Sequence, residues 1–371
     1  MPLFGKKDMH SGYIDDLSDN QSMILEQFKD EIQNKYSEID PRFNDIYLLR
    51  FLRANNFKLN KTMKMFYAFI DWRKEMDVDN AIWRYSFPNE LPRLKEMYSH
   101  GYHNTDRFGR PVYVDRLSLA NIDECLKIMD EDMLLRYNIM LYERQLHWIL
   151  PAASQAAGRN IQDCTNIVDC KGFKMSMMTK RNRRFLNIAA NISQEYYPES
   201  MHKMYLINTP FVFKTAYAII RVFLNEKTKN RIKVLGSKYQ KELFKVVDPD
   251  LMPEWIGGNC DWKEDFKQDW LIYEPGPWHH YPGDQYGEAA RKKMGDKSVE
   301  SETRDISILS SDSDSDEDNV ANKFPDRMFF NFNSPSDIDV YNIPSPMKKS
   351  SKKKKKTKVK TKGKRHDDIT T

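Results

Sequence analysis

The chain has few residues whose types and spacing could support catalysis. Its eight histidines are scattered, and the one close pair, His279–His280, lies in a proline-rich stretch. The sequence contains no GxxxxGK[ST], GxGxxG, HExxH or GxSxG motif. The four cysteines form no CxxC pair and have no histidine at metal-ligand spacing, so we predict free, buried thiols. We therefore expect no enzyme activity, no metal site and no cofactor.

Residues 211–224, FVFKTAYAIIRVFL, are the most informative segment of the chain. Only Lys214 and Arg221 are charged, and their spacing of seven places both on one face of a helix. Fourteen helical residues span about 21 Å, which is too short to cross a bilayer core of about 30 Å. Such a helix is either buried in a protein core or covers an apolar ligand and meets a membrane surface when it opens. The residues alone favour the core helix.

The charge distribution separates a neutral body from a charged tail. The chain has 371 residues with 59 Lys+Arg and 54 Asp+Glu, and residues 291–371 alone hold 19 basic against 14 acidic residues. Residues 1–290 therefore carry 40 of each, so the basic pI does not predict that the body binds nucleic acid. The first residues lack the apolar core of a signal peptide, and no apolar run reaches 18 residues. We expect a cytoplasmic protein.

Patterning along the chain predicts an α/β protein with a helical module in front. Residues 1–20 are polar and flexible, and residues 21–80 read as helices separated by a turn at Asn55–Asn56, with Asn60 as the cap of the last helix. Residues 85–280 alternate helices with β-rich runs, which indicates a largely parallel or mixed sheet. The four predicted strands lie within 109–117, 165–170, 203–210 and 231–237.

Residues 290–371 have the composition of a disordered tail. An acidic serine run ends in SSDSDSDED, and residues 348–365 are rich in lysine. Three interpretations of the lysine run stay open: a solvated tail, attraction to anionic lipid, or a nuclear-import or nucleic-acid patch. The serine run resembles a substrate of acidophilic kinases, and phosphates there would pair with the lysines.

Several collinear motifs within residues 20–275 resemble the CRAL-TRIO lipid-binding family. They are YLLRFLRANNFKLNKTMKMFYAFIDWRKE, HNTDRFGRPVYVDRL, TNIVDCKG, ISQEYYPESMHKMYLINTPFVFKTAYAIIRVFLNEKTKNRIKVLG and LMPEWIGGNC. The most similar subfamily is that of the Sec-fourteen-type phosphatidylinositol/phosphatidylcholine transfer proteins. The resemblance implies an N-terminal helical module, then a mixed sheet that floors an apolar cavity closed by a gate helix. Residues 211–226 match that gate helix, with Phe211, Phe213, Tyr217, Ile220 and Phe223 as its apolar residues.

The resemblance also implies two headgroup pockets. Glu199, Thr228 and Arg231 match the phosphoinositol pocket, whereas the uncharged Asn55 and Asn56 stand where the subfamily has basic residues. Three tyrosines match the phosphatidylcholine pocket, and their ring faces could hold a quaternary ammonium. Two further residues of this pocket stand where the family has a serine and a threonine. These five residues are Tyr102, Tyr113, Tyr142, Cys164 and Asn166.

The implied function is exchange of phosphatidylinositol and phosphatidylcholine between membranes, with presentation of phosphatidylinositol to a lipid kinase. The expected protein is a monomer that touches Golgi, endosomal or other cytosol-facing membranes transiently, and no specific nucleic-acid partner is expected. Two alternatives stay open: a CRAL-TRIO carrier of a sterol, retinoid or tocopherol, and a scaffold that exchanges nothing. On the exchange hypothesis, replacing Phe213 or Ile220 with Asp abolishes transfer and leaves the fold intact.

Overall fold

The computed structural model describes residues 10–38, 40–81, 87, 89–117, 120–260 and 275–280. The predicted tail, residues 290–371, lies outside the described residues. The helices are Asp19–Lys35 (α1), Asp45–Ala54 (α2), Leu59–Glu75 (α3), Glu90–Met97 (α4), Ile122–Ile128 (α5), Glu131–Arg144 (α6), Leu150–Ala157 (α7), Lys180–Asn191 (α8), Phe213–Ile220 (α9), Glu226–Arg231 (α10) and Gln240–Leu243 (α11). The strands are His100–Thr105 (β1), Pro111–Asp115 (β2), Cys164–Asp169 (β3), Met201–Ile207 (β4) and Ile232–Val234 (β5).

Helices α1 to α3 pack through a cluster of aromatic rings. Phe51 and Phe66 meet edge to face at 5.2 Å between ring centroids, and both are fully buried. A reciprocal capping box between Ser18 and Gln21 starts α1. The turn predicted between α2 and α3 is present, with Asn56 at a φ of 52°. The cap predicted at Asn60 is wrong, because α3 begins at Leu59 and its N-cap is Lys58, whose side chain makes no capping bond.

The five strands form one mixed sheet in the order β1-β2-β3-β4-β5. Strands β2 to β5 are parallel and overlap the four predicted runs, while β1 pairs antiparallel with β2. Strand β1 was not predicted, because its sequence HGYHNT contains glycine and asparagine, which are rare in strands. The register aligns one residue from each strand in a row across the sheet: Tyr102, Tyr113, Asn166, Met204 and Ile232.

One face of the sheet is closed and the other retains accessible surface. Val112, Val114 and Ile167 on the closed face are fully buried against residues 239–256. On the opposite face, four residues of the row keep part of their surface accessible although they lie in inner or covered strands. We call these four the accessible row: Tyr113, Asn166, Met204 and Ile232. Within the described ranges, no helix is long and apolar enough to cross a membrane.

Candidate functional site

Part of the accessible row is covered by other elements of the fold, since Met204 and Ile232 pack against the apolar cluster around Phe213. Burial raises the pKa of the Tyr113 hydroxyl well above its usual value, although part of this side chain is still accessible. The neighbouring Val168 is also half-buried and apolar. This face of the sheet is therefore a partly accessible, mostly apolar floor.

Residues 211–224, here called the gate segment, lie over this floor. Helix α9 buries Phe213 and Ala216 against Phe173 and Leu206, with the rings of Phe173 and Phe213 edge to face at 5.2 Å. The opposite side faces solvent, because Phe211 is 85% and Val222 is 78% exposed. The segment is thus only partly buried. One side packs on the domain, and the other presents large apolar side chains to water.

The gate helix is also shorter than predicted. The resemblance assigned residues 211–226 to one helix, but the α-helix covers only Phe213–Ile220 and is followed by a single 3-10 turn, Arg221–Phe223. Asn225 then caps the next helix, α10, by accepting a hydrogen bond from the backbone N–H of Thr228 at 2.8 Å. Tyr217, Ile220 and Phe223 are half-buried at the underside of the segment.

The residues assigned to the phosphatidylcholine pocket lie around Cys164. The rings of Tyr102 and Tyr113 are 5.1 Å apart, and the Cys164 thiol donates to the Asn166 side-chain oxygen at 3.0 Å. Burial raises the pKa of the Cys164 thiol, so it stays protonated. Tyr142 stacks on Tyr197 at 4.5 Å, and burial raises its pKa to about 12.

The tyrosine rings of this group are not equally open. Tyr102 is only 3% exposed, and its ring is met by Trp278 at 5.8 Å and by the Arg144 guanidinium at 5.9 Å. Tyr113 and Tyr142 keep accessible surface. The two open rings are therefore better placed than Tyr102 to receive a quaternary ammonium group.

The residues assigned to the phosphoinositol pocket form a compact charged cluster. The Arg231 guanidinium donates to the Glu199 carboxylate and, at 2.9 Å, to the carbonyl of Met201. The Lys227 ammonium lies 3.7 Å from the same carboxylate. Glu199 has a φ of 58°, a conformation that costs an L-residue about 1–2 kcal/mol, so its surroundings hold it there.

This cluster lines a cavity of about 40 Å³ together with Ala54, Tyr197 and Thr228. The volume suits about one water molecule, since a water occupies about 30 Å³ in the liquid. An inositol phosphate is much larger. In this conformation the carboxylate of Glu199 thus occupies the place beside the two cations.

Asn55 and Asn56 do not line this cavity. The Asn55 amide donates to the carbonyl of Phe51 and to the Met65 sulfur, both at 3.1 Å, and Asn56 is exposed at the following turn. Two arginines of α2 lie closer to the cluster. Arg50 donates to the carbonyl of Glu199 at 3.1 Å, and the Arg53 carbonyl accepts a hydrogen bond from Lys227.

Sequence reasoning missed Lys227, Arg50 and Arg53. Lys227 directly precedes Thr228, which had been identified. Arg50 and Arg53 are three apart on an apolar helix, where buried cations require partners. Desolvation lowers the pKa of Arg53, whose guanidinium contacts the ring of Tyr13 at 4.1 Å and donates to Gln162 at 3.0 Å. The three-residue spacing of Arg50 and Arg53 on α2 could have identified them from the sequence.

Comparisons with known proteins agree with this architecture. The model of the CRAL/TRIO domain matches residues 95–258, and that of the CRAL/TRIO N-terminal domain matches residues 24–67. The SEC14 cytosolic factor of Kluyveromyces lactis is 35% identical over 269 residues, which cover 72% of this chain and 87% of the relative. The chain belongs to the CRAL-TRIO family.

Two further relatives and one solved structure are also similar to this chain. The Sec14 cytosolic factor of Schizosaccharomyces pombe is 34% identical over 73% of this chain and 91% of its own length. The phosphatidylinositol/phosphatidylcholine transfer protein SFH9 of Arabidopsis thaliana is 33% identical over 69% of this chain, but the match covers only 46% of SFH9. The crystal structure of Sfh5 has a TM-score of 0.55 at 18% identity and covers 76% of this chain and 99% of its own, which shows a shared fold.

Proposed function

We propose that this CRAL-TRIO protein binds phosphatidylinositol and phosphatidylcholine, one molecule at a time, and exchanges them between membranes without covalent chemistry. The observation that carries the proposal is the accessible row beneath the gate segment. A phospholipid with about 30 methylenes leaves a bilayer at a cost of about 24 kcal/mol, at about 0.8 kcal/mol for each methylene exposed. An apolar space under a movable cover removes most of that cost.

The charged cluster supports phosphatidylinositol as one of the two ligands. With no phosphate present, Glu199 pairs with both Arg231 and Lys227 and neutralises one of their two charges, so the cluster keeps a net positive charge. An incoming phosphate would compete with Glu199 for the planar guanidinium, which binds phosphate through two parallel hydrogen bonds. A choline lipid would leave the cluster closed. The names of the relatives SFH9 and SEC14 cytosolic factor are consistent with this proposal.

The proposal also covers the partners of the protein and the membranes with which it associates. The protein presents phosphatidylinositol to a lipid kinase, because a headgroup held at the edge of the domain is accessible to another enzyme. It acts as a monomer, needs no cofactor, catalyses no reaction, and associates transiently with Golgi, endosomal or other cytosol-facing membranes. Addition of the loaded protein to a phosphatidylinositol kinase with vesicle substrate tests the first point, and an unchanged rate would contradict it.

The first test is native mass spectrometry of the purified protein, with extraction and identification of the bound lipid. A phosphatidylinositol or phosphatidylcholine mass supports the proposal. A sterol or another non-phospholipid would move the function to that carrier class, and a protein that stays empty after incubation with phospholipid vesicles would contradict binding.

A pair of matched substitutions then locates the binding space. Met204→Trp adds bulk above the accessible row and should abolish loading by phospholipid. Met23→Trp makes the same change at a residue of α1 that is 53% exposed, and it should leave loading unchanged. Equal loading of the two variants would show that the lipid does not occupy the space above the sheet.

A further inference from the structure

Two segments of the chain, one of them the gate segment, contain many cations and no acidic residue. Residues 171–184, KGFKMSMMTKRNRR, contain six Lys or Arg, and the gate segment adds Lys214 and Arg221. These 28 residues contain no Asp or Glu, whereas residues 1–290 as a whole carry equal numbers of acidic and basic residues. We call the two segments together the basic surface. The rest of residues 1–290 holds eight more acidic than basic residues, so the positive charge of the basic surface is a local feature.

The two segments of the basic surface lie side by side. Phe173 meets Phe213 at 5.2 Å between ring centroids, and Met177 and Met178 pack on the same cluster. The Asn182 amide donates to the carbonyl of Met177 at 2.8 Å, which ties the loop to α8. Helix α8 in turn contacts both α9 and the turn Arg221–Phe223. The cations therefore belong to one patch of the fold.

The placement of these cations does not stabilise the fold. Lys180, Arg181, Arg183 and Arg184 lie in the first turns of α8, where the helix dipole disfavours positive charge. Arg181 pairs with Glu131 at 3.1 Å, but Arg183 and Arg184 are exposed and pair with no acid in the part of the chain that the structure describes. Charges that oppose the local dipole and lack an internal anion are available to an external one.

Exposed apolar side chains lie within the same surface. Phe211 is 85%, Val222 is 78% and Met175 is 36% exposed. Phe211 contacts the Lys214 ammonium at 5.1 Å, so an apolar group and a cation occur at the same place. A flat anionic surface with an apolar interior matches this mixture, since lipid phosphates pair with the cations while the apolar tips enter the acyl region.

We propose that the basic surface, residues 171–184 with the gate segment, docks the protein on membranes rich in anionic lipid. This rests on the proposed function, because docking there sets the gate segment against the bilayer from which lipid enters. The surface selects target membranes by their charge, independently of the lipid that is carried. The cations of 171–184 act in docking and do not touch the carried lipid.

Vesicle co-sedimentation of the full chain tests the proposal. The variant Arg183→Ala/Arg184→Ala should bind vesicles with 30% phosphatidylserine about 25-fold more weakly than the unmodified chain, since each cation near an anionic surface contributes about fivefold. Binding to pure phosphatidylcholine vesicles should not change. The control variant Lys61→Ala/Lys64→Ala removes the same charge from exposed positions on α3 and should bind like the unmodified chain.

The outcomes separate docking from lipid carriage. Equal binding of the two variants to anionic vesicles would overturn the proposal. An unmodified chain that binds no vesicle would also overturn it and would point to a protein partner for this surface. Bound lipid is measured on the same samples by extraction and mass spectrometry. Weakened docking of Arg183→Ala/Arg184→Ala with normal bound lipid supports the proposal. The same weakening in a protein that carries no lipid would support the docking surface and contradict the proposed function.

Discussion

The buried ion pair between Arg73 and Glu143 permits a sharp prediction about stability. Arg73 of α3 donates to both carboxylate oxygens of Glu143 of α6, at 2.8 and 3.1 Å, and the two side chains are 2% and 1% exposed. The Tyr197 hydroxyl donates to the same carboxylate at 2.7 Å, and the ring of Tyr142 stacks on Tyr197. The pair thus links the helical module to the aromatic residues beside the predicted choline pocket.

Glu143→Gln removes the buried carboxylate beside Arg73 and leaves its guanidinium only the half-exposed Asp79, which accepts a hydrogen bond from Nε at 3.1 Å. Removing one partner of a buried pair costs about 3–5 kcal/mol. Asp132→Asn on the same helix breaks a pair of equal length, 2.7 Å to Arg136, but both side chains are partly exposed and the expected cost is about 0.5 kcal/mol. Urea unfolding followed by circular dichroism should therefore show a loss of unfolding free energy that is at least six times larger for Glu143→Gln than for Asp132→Asn.

The same pair predicts a dependence of stability on pH. The neighbouring Arg73 holds the pKa of Glu143 well below its usual value, despite burial. A carboxyl with a lowered folded-state pKa stabilises the fold above its ordinary value of about 4.5 and loses this contribution as the pH falls below it. The free energy of unfolding should therefore fall more steeply below pH 4.5 in the unmodified chain than in Glu143→Gln. Equal losses of unfolding free energy for Glu143→Gln and Asp132→Asn at pH 7 would refute the argument from burial.

Three further predictions concern the site. Arg231→Ala should weaken phosphatidylinositol binding at least tenfold and leave phosphatidylcholine binding unchanged, because a charge-assisted bond to phosphate is worth about 1.5–3 kcal/mol; competition between the two lipids for loading measures this. Ile220→Asp should abolish transfer between vesicles with the fold retained, since Ile220 is half-buried at the end of α9. The stability advantage of Asp115→Asn over the unmodified chain should be larger at pH 8 than at pH 5, because burial raises the pKa of Asp115 to about 6 and its ionised form is disfavoured in the fold.

Each of these predictions has its own control. Lys229→Ala removes a cation of α10 that pairs with Glu226 and does not line the cavity of the charged cluster, so it should not alter lipid selectivity. Transfer by Ile220→Asp at the rate of the unmodified chain would show that the gate segment does not take part. Asp123→Asn on α5, at an exposed carboxyl, should give no difference in stability between pH 5 and pH 8.

Phe213→Asp is a poor test of the gate, contrary to the expectation from the sequence. Phe213 is 2% exposed and packs against Phe173, Leu206 and Ala216. A carboxylate there would be buried without a partner, so the variant would lose stability whether or not the segment moves. The apolar count of residues 211–224 could not distinguish the buried side from the exposed side.

The sequence predicted the parts of the fold that depend on local periodicity. Helices α1 to α3 and strands β2 to β5 were predicted, because their apolar residues recur with helical or strand spacing. Strand β1 was missed because it is stabilised by pairing with β2 rather than by its own residues. The Asn60 cap failed for a similar reason, as the turn at Asn56 and Phe57 determines where α3 begins.

The charged cluster could be predicted only in part, because its members come from distant segments. Glu199, Thr228 and Arg231 were identified from the collinear motifs, and they line one cavity. Asn55 and Asn56 do not, since the Asn55 amide is used by its own helix and by Met65. The cations of α2 that lie near the cluster are Arg50, which donates to the Glu199 carbonyl, and Arg53, whose carbonyl accepts from Lys227. A linear match cannot detect this arrangement, because it compares positions and not the directions of side chains.

The exposure of Phe211 and Val222 connects the gate segment to the basic surface. A cover that only closed a cavity would bury its apolar residues inward, as Phe213 does. Two large apolar side chains in water instead reduce the cost of docking, since their transfer into acyl chains is favourable by about 1.5–3 kcal/mol each. Docking by charge alone would weaken at physiological salt, and apolar insertion alone would not select between membranes. In the proposed docking, the combination gives both affinity and selectivity, and it places both on the gate segment.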